Sequence, residues 1–352
     1  MKNLFKFCVF TLIILFTFSC GKKSYIQPPS IPYIRTSIKN ITQKSVSFDG
    51  LVLSDGGDHI FSEGICWSAT DTPTIEQNKL EYGLPQDNFS GIIYNLNPST
   101  RYNFRTFAQN SVGIGYGNTV SKFTLPAEIG FNTKLGYGTI TDIESNKYKT
   151  IIIGTQTWMA ENLRTTKYQN GDLIGTTSSP LQDISKEDAP EYQWAYDGNE
   201  SVTLVYGRLY TWYTVNDNRK ICPVGWHVAT QNEWKTLTDF LINNGYGFGG
   251  SGNNIANAMA ATNGWELYGT LGNPGSEQIN NNSSGFSALP GGSRSGYDGG
   301  FAYGGECSYW WSSTDVSNNF AWRGCYMCSF FGKVFADEGD KKVGYSVRCV
   351  KD

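Results

Sequence analysis

One stretch constrains this chain more than any other: Ile221-Cys-Pro-Val-Gly-Trp-His-Val-Ala-Thr-Gln-Asn-Glu-Trp-Lys-Thr-Leu-Thr-Asp-Phe-Leu241. Thr230, with Glu233 three residues on, predicts a capping box. In it the threonine hydroxyl accepts from the Glu233 N–H, and the carboxylate reaches back to the Thr230 N–H. Trp234, Leu237 and Leu241 then share one helical face, and Asn243-Asn244-Gly245 supplies the stop. Cys222-Pro223 and Gly225-Trp226 make a stiff entry to the helix. The mature chain has no stronger helix signal. Nearly all of the chain beyond Gly245 reads as short strand and as Gly-, Asn- and aromatic-rich loop. The helix and Cys222 are therefore expected to anchor a loop-dominated domain.

At 352 residues the chain can hold two or three domains, each with its own core. Charged residues make up only 17%, while aromatics and glycine are plentiful, a profile of β- and loop-rich extracytoplasmic proteins. The net charge of −3, with no basic run beyond the extreme N-terminus, argues against nucleic acid, which requires phosphate neutralisation by Lys and Arg. His59 and His227 are the only histidines, which nearly excludes a histidine-based triad or a multi-histidine metal site.

Lys2 and Lys6 precede an apolar run from Phe7 to Phe18, then Ser19-Cys20-Gly21. A basic start with a short apolar segment is a secretory signal, too short for a confident membrane span. Its end resembles a bacterial lipobox. That resemblance implies a signal peptide over residues 1–20, lipidation at Cys20, and a cell-envelope lipoprotein, expected at the outer membrane and facing the surface or the periplasm. Thr17-Phe18-Ser19 departs from the usual Leu and small residues. Residues 21–31, with Pro28-Pro29, read as a semi-rigid tether.

From 32 to 125 the pattern alternates with period two and is broken by turns: Ser45-Val-Ser-Phe48, Gly64-Ile-Cys-Trp67, Gly91-Ile-Ile-Tyr94, Tyr102-Asn-Phe-Arg-Thr-Phe107 and Val120-Ser-Lys-Phe123. Short strands at such spacing predict an all-β sandwich. Leu96-Asn-Pro-Ser-Thr100-Arg-Tyr102 resembles the tyrosine-corner stretch of fibronectin type III domains, which implies that the Tyr102 hydroxyl ties back to the upstream backbone. A spacer role is expected. Cys66 and Trp67 read as core, and His59 as a solvated loop residue.

Residues 126–140 read as a linker. Beyond it stand Asp142-Ile-Glu-Ser-Asn146, predicting a hairpin with its turn at Asn146, then Trp158-Met-Ala-Glu-Asn162-Leu163, Tyr206-Gly-Arg-Leu-Tyr210, Leu289-Pro-Gly-Gly-Ser293, Tyr309-Trp-Trp-Ser-Ser313 and Gly344-Tyr-Ser-Val-Arg348. This series, over 141–352, resembles the FISUMP (Fibrobacter succinogenes major paralogous) domain of secreted and lipoprotein-anchored bacterial proteins. The resemblance implies an α+β, loop-rich, C-type lectin-like fold related to formylglycine-generating enzymes. It further implies a Cys222–Cys349 disulfide stapling the middle of the domain to its last strand, worth roughly 4–5 kcal/mol in the loop-entropy description.

Two functions compete. The formylglycine resemblance implies a thiolate pair holding copper, for which Cys325-Tyr-Met-Cys328 is the place, with soft thiolates and Met327 suited to Cu(I) or zinc. Against it, exported cysteines more often form disulfides, and Cys307 can pair with Cys325 or with Cys328, leaving the other free or joined to Cys66. Asp337-Glu-Gly-Asp340 reads as a solvated turn; calcium or copper is conceivable, but no cofactor is predicted. Glu233 is accounted for by capping, and His227 by orienting the local turn or packing beside Trp226. The region from Gly291 to Phe331 reads as aromatic loops. Within it Trp310, Trp311 and Trp322 are expected in the core. Asn318, Asn319, Arg323, Tyr326, Phe330 and Phe331 are expected at a ligand surface, since aromatic faces beside polar groups suit sugar rings and protein partners. The expectation is a non-catalytic binder of a glycan or protein ligand at the cell surface, with a metal-dependent oxidase or a structural subunit of an envelope appendage as alternatives.

Overall fold

Strand pairing dominates the computed structural model, which describes residues 27–82 and 86–352. The signal segment, Cys20 and the start of the tether lie outside the described residues. The first domain has strands β1 (Tyr33–Ile41), β2 (Val46–Ser54), β3 (Ser62–Ser68), β4 (Asn78–Tyr82), β5 (Asn88–Ile93), β6 (Arg101–Gln109), β7 (Ile114–Tyr116) and β8 (Val120–Phe123). They form two antiparallel sheets, β1-β2-β5 and β4-β3-β6-β7, with β8 also on β6. Val46, Phe48 and Ile93 from one sheet bury against Ile65, Phe104 and Ala108 from the other. This is the expected sandwich. Tyr102 is buried, and its hydroxyl accepts from the Asn97 N–H at 3.1 Å, closing the corner. Cys66 is a buried free thiol, and His59 is exposed.

The C-terminal domain continues with β9 (Gly138–Thr141), β10 (Lys147–Ile153), β11 (Gln156–Met159), β12 (Gln193–Trp194), β13 (Leu209–Tyr210) and β14 (Trp226–Val228). After the long helix, Gln231–Asn243, come β15 (Gly291–Arg294), β16 (Phe301–Gly304), β17 (Cys307–Asp315), β18 (Phe320–Cys328), β19 (Phe335–Asp340) and β20 (Cys349–Lys351). One sheet runs β14-β20-β11-β10-β9 and another β16-β15-β17-β18-β19. The β9–β10 hairpin turns where expected, because Asp142 Oδ1 accepts from the Glu144 and Asn146 N–H groups at 2.9 Å each. No helix among the described residues is long and apolar enough to cross a membrane.

The helix forms as read. The Thr230 hydroxyl accepts from the Glu233 N–H at 3.3 Å, and Glu233 Oε2 accepts from the Thr230 N–H at 2.8 Å. Trp234, Leu237 and Leu241 are its buried residues. Trp234 meets Trp158 at 4.7 Å and Trp310 at 5.9 Å between centroids. The ring lies on the β18 backbone at Gly324, where a Cβ would stand 2.1 Å from it. Cys222 and Cys349 are disulfide-bonded, bringing the entry to the helix onto the terminal strand.

Buried arginines fasten the long connections. Arg348, fully buried, donates to Asn162 Oδ1 (2.7 Å) and to the carbonyls of Met159 (2.8 Å), Phe286 (3.0 Å) and Ser287 (3.1 Å). Arg294, also fully buried, donates to the Pro180, Gln182 and Ser295 carbonyls and lies 4.0 Å from the Trp194 ring centroid. Backbone carbonyls in turns otherwise need water, so a buried guanidinium with five donors can organise chain that has no ladder of its own.

Three expectations change here. Gly291 to Phe331 is mostly strand, β15 to β18, rather than mobile loop; register shifts beside Trp310 and Trp311 break the alternation that would have shown it. Asp337 to Asp340 belongs to β19, paired with β18, rather than to a turn. Trp310 and Trp311 are fully buried, but Trp322 stays partly exposed.

Candidate functional site

The second sheet of the C-terminal domain lines up its aromatic rings in register. Tyr309 on β17 pairs with Tyr326 on β18, which pairs with Phe335 on β19. Beyond Tyr309 lies Tyr345, whose neighbour Ser346 donates its N–H to the Tyr309 carbonyl at 3.0 Å. From Tyr345 to Phe335 the four rings stand at centroid separations of 5.3, 5.7 and 5.1 Å with interplanar angles of 29°, 25° and 21°. That spacing is set by the distance between neighbouring strands. The rings stand face to face, so within the row they spend their faces on one another.

The row continues off the sheet. Phe331 lies 5.7 Å from Phe335, Phe330 lies 4.7 Å from Phe331, and Tyr268 lies 5.7 Å from Phe330. Exposure rises along it: Tyr345 is 6% exposed, Phe331 47% and Tyr268 49%. Open aromatic surface therefore belongs to the far end, while the near end is core. Tyr303, half exposed, flanks Tyr309 at 6.2 Å.

Arg323 lies along the row, its guanidinium carbon 5.2 to 5.6 Å from the Tyr326, Tyr309 and Tyr345 centroids. Its NH2 donates to Asp337 Oδ2 at 2.5 Å, and its NH1 to the Tyr345 hydroxyl at 3.3 Å. Burial opposes its charge, but Tyr345 and Asp337 outweigh that and raise its pKa. Burial lifts the Tyr309 hydroxyl to about 12, so at neutral pH Tyr309 stands in the row as a hydroxyl.

Of the six residues expected at a ligand surface, the structure brings together Arg323, Tyr326, Phe330 and Phe331. Asn318 and Asn319 are exposed in the turn between β17 and β18, where the Asn319 carbonyl accepts from the Lys341 N–H at 3.0 Å; no ring of the row stacks on them. Tyr268, Phe335 and Tyr345 were missed. Tyr345 stood in the Gly344-Tyr-Ser-Val-Arg348 motif, but neither periodicity nor spacing marked Tyr268 or Phe335.

The thiolate pair of the oxidase alternative is not present. Cys328 is bonded to Cys307, directly opposite on the neighbouring strand, and Cys325 is a fully buried free thiol that burial pushes well above its usual pKa. The bulge near Arg323 turns Cys325 to the core face, beside Trp310 and Met327. Among the described residues no group of three or more His, Cys, Asp or Glu side chains is placed to hold a metal ion. His227 does not sit in a turn. It lies on β14 and bridges two carboxylates, Nδ1 to Asp352 at 2.6 Å and Nε2 to Glu233 at 2.8 Å. Glu233 thus both caps the helix and holds the histidine.

A β-sandwich followed by a β-rich domain with a ridge of stacked rings is the class of protein that this fold and surface define. The chain belongs to the family described as the Fibrobacter succinogenes major domain, whose model matches residues 151–351. Solved structures similar to it include domains A168–A170 of titin (23% identity, TM-score 0.21, 27% of this chain and 32% of that one). The FN1–FN3 domains of chicken CNTN1 are another (22% identity, TM-score 0.23, 28% and 32%). A third is the sensor domain of the anti-sigma factor RsgI4 of Pseudobacteroides cellulosolvens (18% identity, TM-score 0.22, 28% and 97%). The chain spans 32% of the length of each of the first two. Comparison with curated proteins gives no match.

Proposed function

We propose that this protein is a non-catalytic binder of the bacterial cell envelope, held at the outer membrane by a lipid on Cys20, spaced from it by the sandwich, and capturing a glycan or protein ligand on the aromatic end of its C-terminal domain. The observation that carries this is the open end of the ring row. Phe331 and Tyr268 expose about half of their surface, so burying the remainder would be worth about 0.8–1.5 kcal/mol each, half of what a fully exposed large apolar side chain gains. They rest on a pre-ordered stack, so little side-chain entropy remains to be lost on binding. The domain is taken as C-type lectin-like: its long helix packs on the sheet core, and the Cys222–Cys349 bond ties its terminal strand to the helix entry.

The test is retention of the full chain on a glycan panel and on envelope-protein extracts, followed by binding isotherms for whatever is retained. Tyr268→Ala combined with Phe331→Ala, both at exposed positions, is expected to leave the fold intact by circular dichroism and to weaken binding at least about tenfold. Retention of no ligand, or equal binding by the double variant, would sink the proposal.

A further inference from the structure

The pole of the sandwich at which the chain enters is an apolar base tied together by hydrogen bonds. Three segments meet there: residues 30–31 ahead of β1, the 55–61 connection between β2 and β3, and the 110–113 turn between β6 and β7. Asn110, fully buried, joins them. Its amide nitrogen donates to the Ser30 and Asp55 carbonyls at 2.7 and 2.8 Å, and its Oδ1 accepts from the Val112 and Gly113 N–H groups at 3.0 and 3.2 Å. The Ser30 N–H donates to the Gly56 carbonyl, the Phe61 N–H to the Gln109 carbonyl, and the Ser111 N–H to Asp58 Oδ2.

On this base stand Ile31, Phe61 and Val112, which keep 51%, 49% and 49% of their surface in water. They are neighbours: a Cβ on Gly113, next to Val112, would lie 3.3 Å from Ile31 Cγ2. Apolar side chains exposed singly are ordinary, whereas three on one hydrogen-bonded base make a contact surface. Residues 28–33, 54–61 and 109–116 contain no lysine or arginine, and their acidic residues are Asp55 and Asp58. The pole therefore offers apolar surface and no attraction for an anionic partner.

Its place in the chain says what covers it. The opposite pole, with Ile41 and Leu125, faces Tyr196 and Tyr206 of the C-terminal domain. The free pole is the one from which the chain runs back to Cys20, ten positions before Ser30. Even fully extended, that stretch reaches at most about 36 Å. A lipid on Cys20 would hold the pole beside the bilayer at an effective concentration in about the millimolar range, where a weak apolar contact is occupied.

We propose that this pole rests on the bilayer, with Ile31, Phe61 and Val112 entering the boundary between headgroups and acyl chains beside the anchor. The contact depends on the reading of Cys20 as the lipid-bearing residue, since only the tether brings the pole there. The sandwich then serves as a foot. Its three contact points define a plane, which sets the tilt of the C-terminal domain above the membrane.

The test uses dioleoylphosphatidylcholine vesicles that contain a brominated phosphatidylcholine and a nickel-chelating lipid. An N-terminal hexahistidine tag holds the 21–352 chain on them in place of the natural lipid. Cys66 and Cys325 are buried, so a thiol introduced at the surface takes the label. A bimane on Val112→Cys should be quenched at least about twofold by the bromolipid, and one on Asn319→Cys, in the C-terminal domain, should be unaffected. Adding Ile31→Ser and Phe61→Ser should remove at least about half of that quenching, with the fold checked by circular dichroism. Equal quenching at the two positions, none at Val112, or undiminished quenching in the folded serine variant would overturn the proposal. So would a lipid-free chain that sediments as a dimer and becomes monomeric in that variant, which would give the pole to a second copy. The contrast between the two labels is read without the serine changes, so it holds whether or not that variant folds. The mass of the N-terminal peptide from the envelope-isolated protein separates the two readings. An unmodified Cys20 would overturn the anchor and the contact with it, while a lipid on Cys20 without quenching at Val112 would overturn the contact alone.

Discussion

Asn162 accepts from Arg348, its Oδ1 lying 2.7 Å from the guanidinium Nε across 186 residues of sequence. The same oxygen accepts from Trp310 Nε1 at 2.9 Å, and the Asn162 amide nitrogen donates to the Tyr206 carbonyl at 2.8 Å. One buried amide thereby joins the turn after β11, the β17 core tryptophan and the last segment of the chain. Among the described residues no carboxylate bonds to Arg348; carbonyl and amide oxygens solvate it instead. Burial accordingly draws its pKa down from the usual value.

Replacing Asn162 with Ala should therefore cost about 2–4 kcal/mol, since two buried donors, one of them charged, lose their acceptor. Urea unfolding measures it. A cost within about 0.5 kcal/mol of zero would mean that water replaces the amide without penalty and that the hub is not structural.

Gly324 offers a test of the seating of the helix. A methyl group there would stand 2.1 Å from the Trp234 ring, which is itself wedged among Trp158, Phe286 and Trp310 and cannot step aside. Gly324→Ala should destabilise the domain by about 1–3 kcal/mol through overpacking, visible as a lower melting temperature and altered tryptophan fluorescence. An unchanged melting temperature would contradict the packing described.

His227 gives the domain a dependence on pH. Burial opposes its charge, but the hydrogen bonds with Asp352 and Glu233 outweigh burial and raise its pKa above the ordinary 6.5. A group raised on folding contributes stability that is fully present below 6.5 and disappears as pH climbs through the folded value. The stability difference between the unaltered chain and His227→Gln should thus be larger near about pH 6 than near about pH 9. The ring is about one-third exposed, so the effect is screened and small. A difference that grows with pH would reverse the assignment.

Legibility from residues alone followed the range of the interactions. The capping box at Thr230 and Glu233, the face made by Trp234, Leu237 and Leu241, the Tyr102 corner and the Asp142–Asn146 turn all depend on partners within a few residues, and all stand as read. The site was half legible. Arg323, Tyr326, Phe330 and Phe331 stood out as aromatic or polar, but the ridge they make depends on the register of β17, β18 and β19, and on Tyr345 arriving from the end of the chain. The bulge near Arg323 turned Cys325 inward and left Cys328 opposite Cys307, which no spacing rule decides.

By itself the sequence determined where the chain must turn, where its long helix begins and ends, that residues 32–125 alternate as a sandwich, and which family the later part resembles. These depend on short-range hydrogen bonds and on the period of apolar side chains. Only the tertiary structure decided which rings share a face, which cysteines remain free, and that His227 clasps Asp352 while Arg348 holds Asn162. Those pairings join residues more than a hundred positions apart. Each exists only because a particular strand register brings its partners within hydrogen-bonding distance, and register is a property of the assembled sheet.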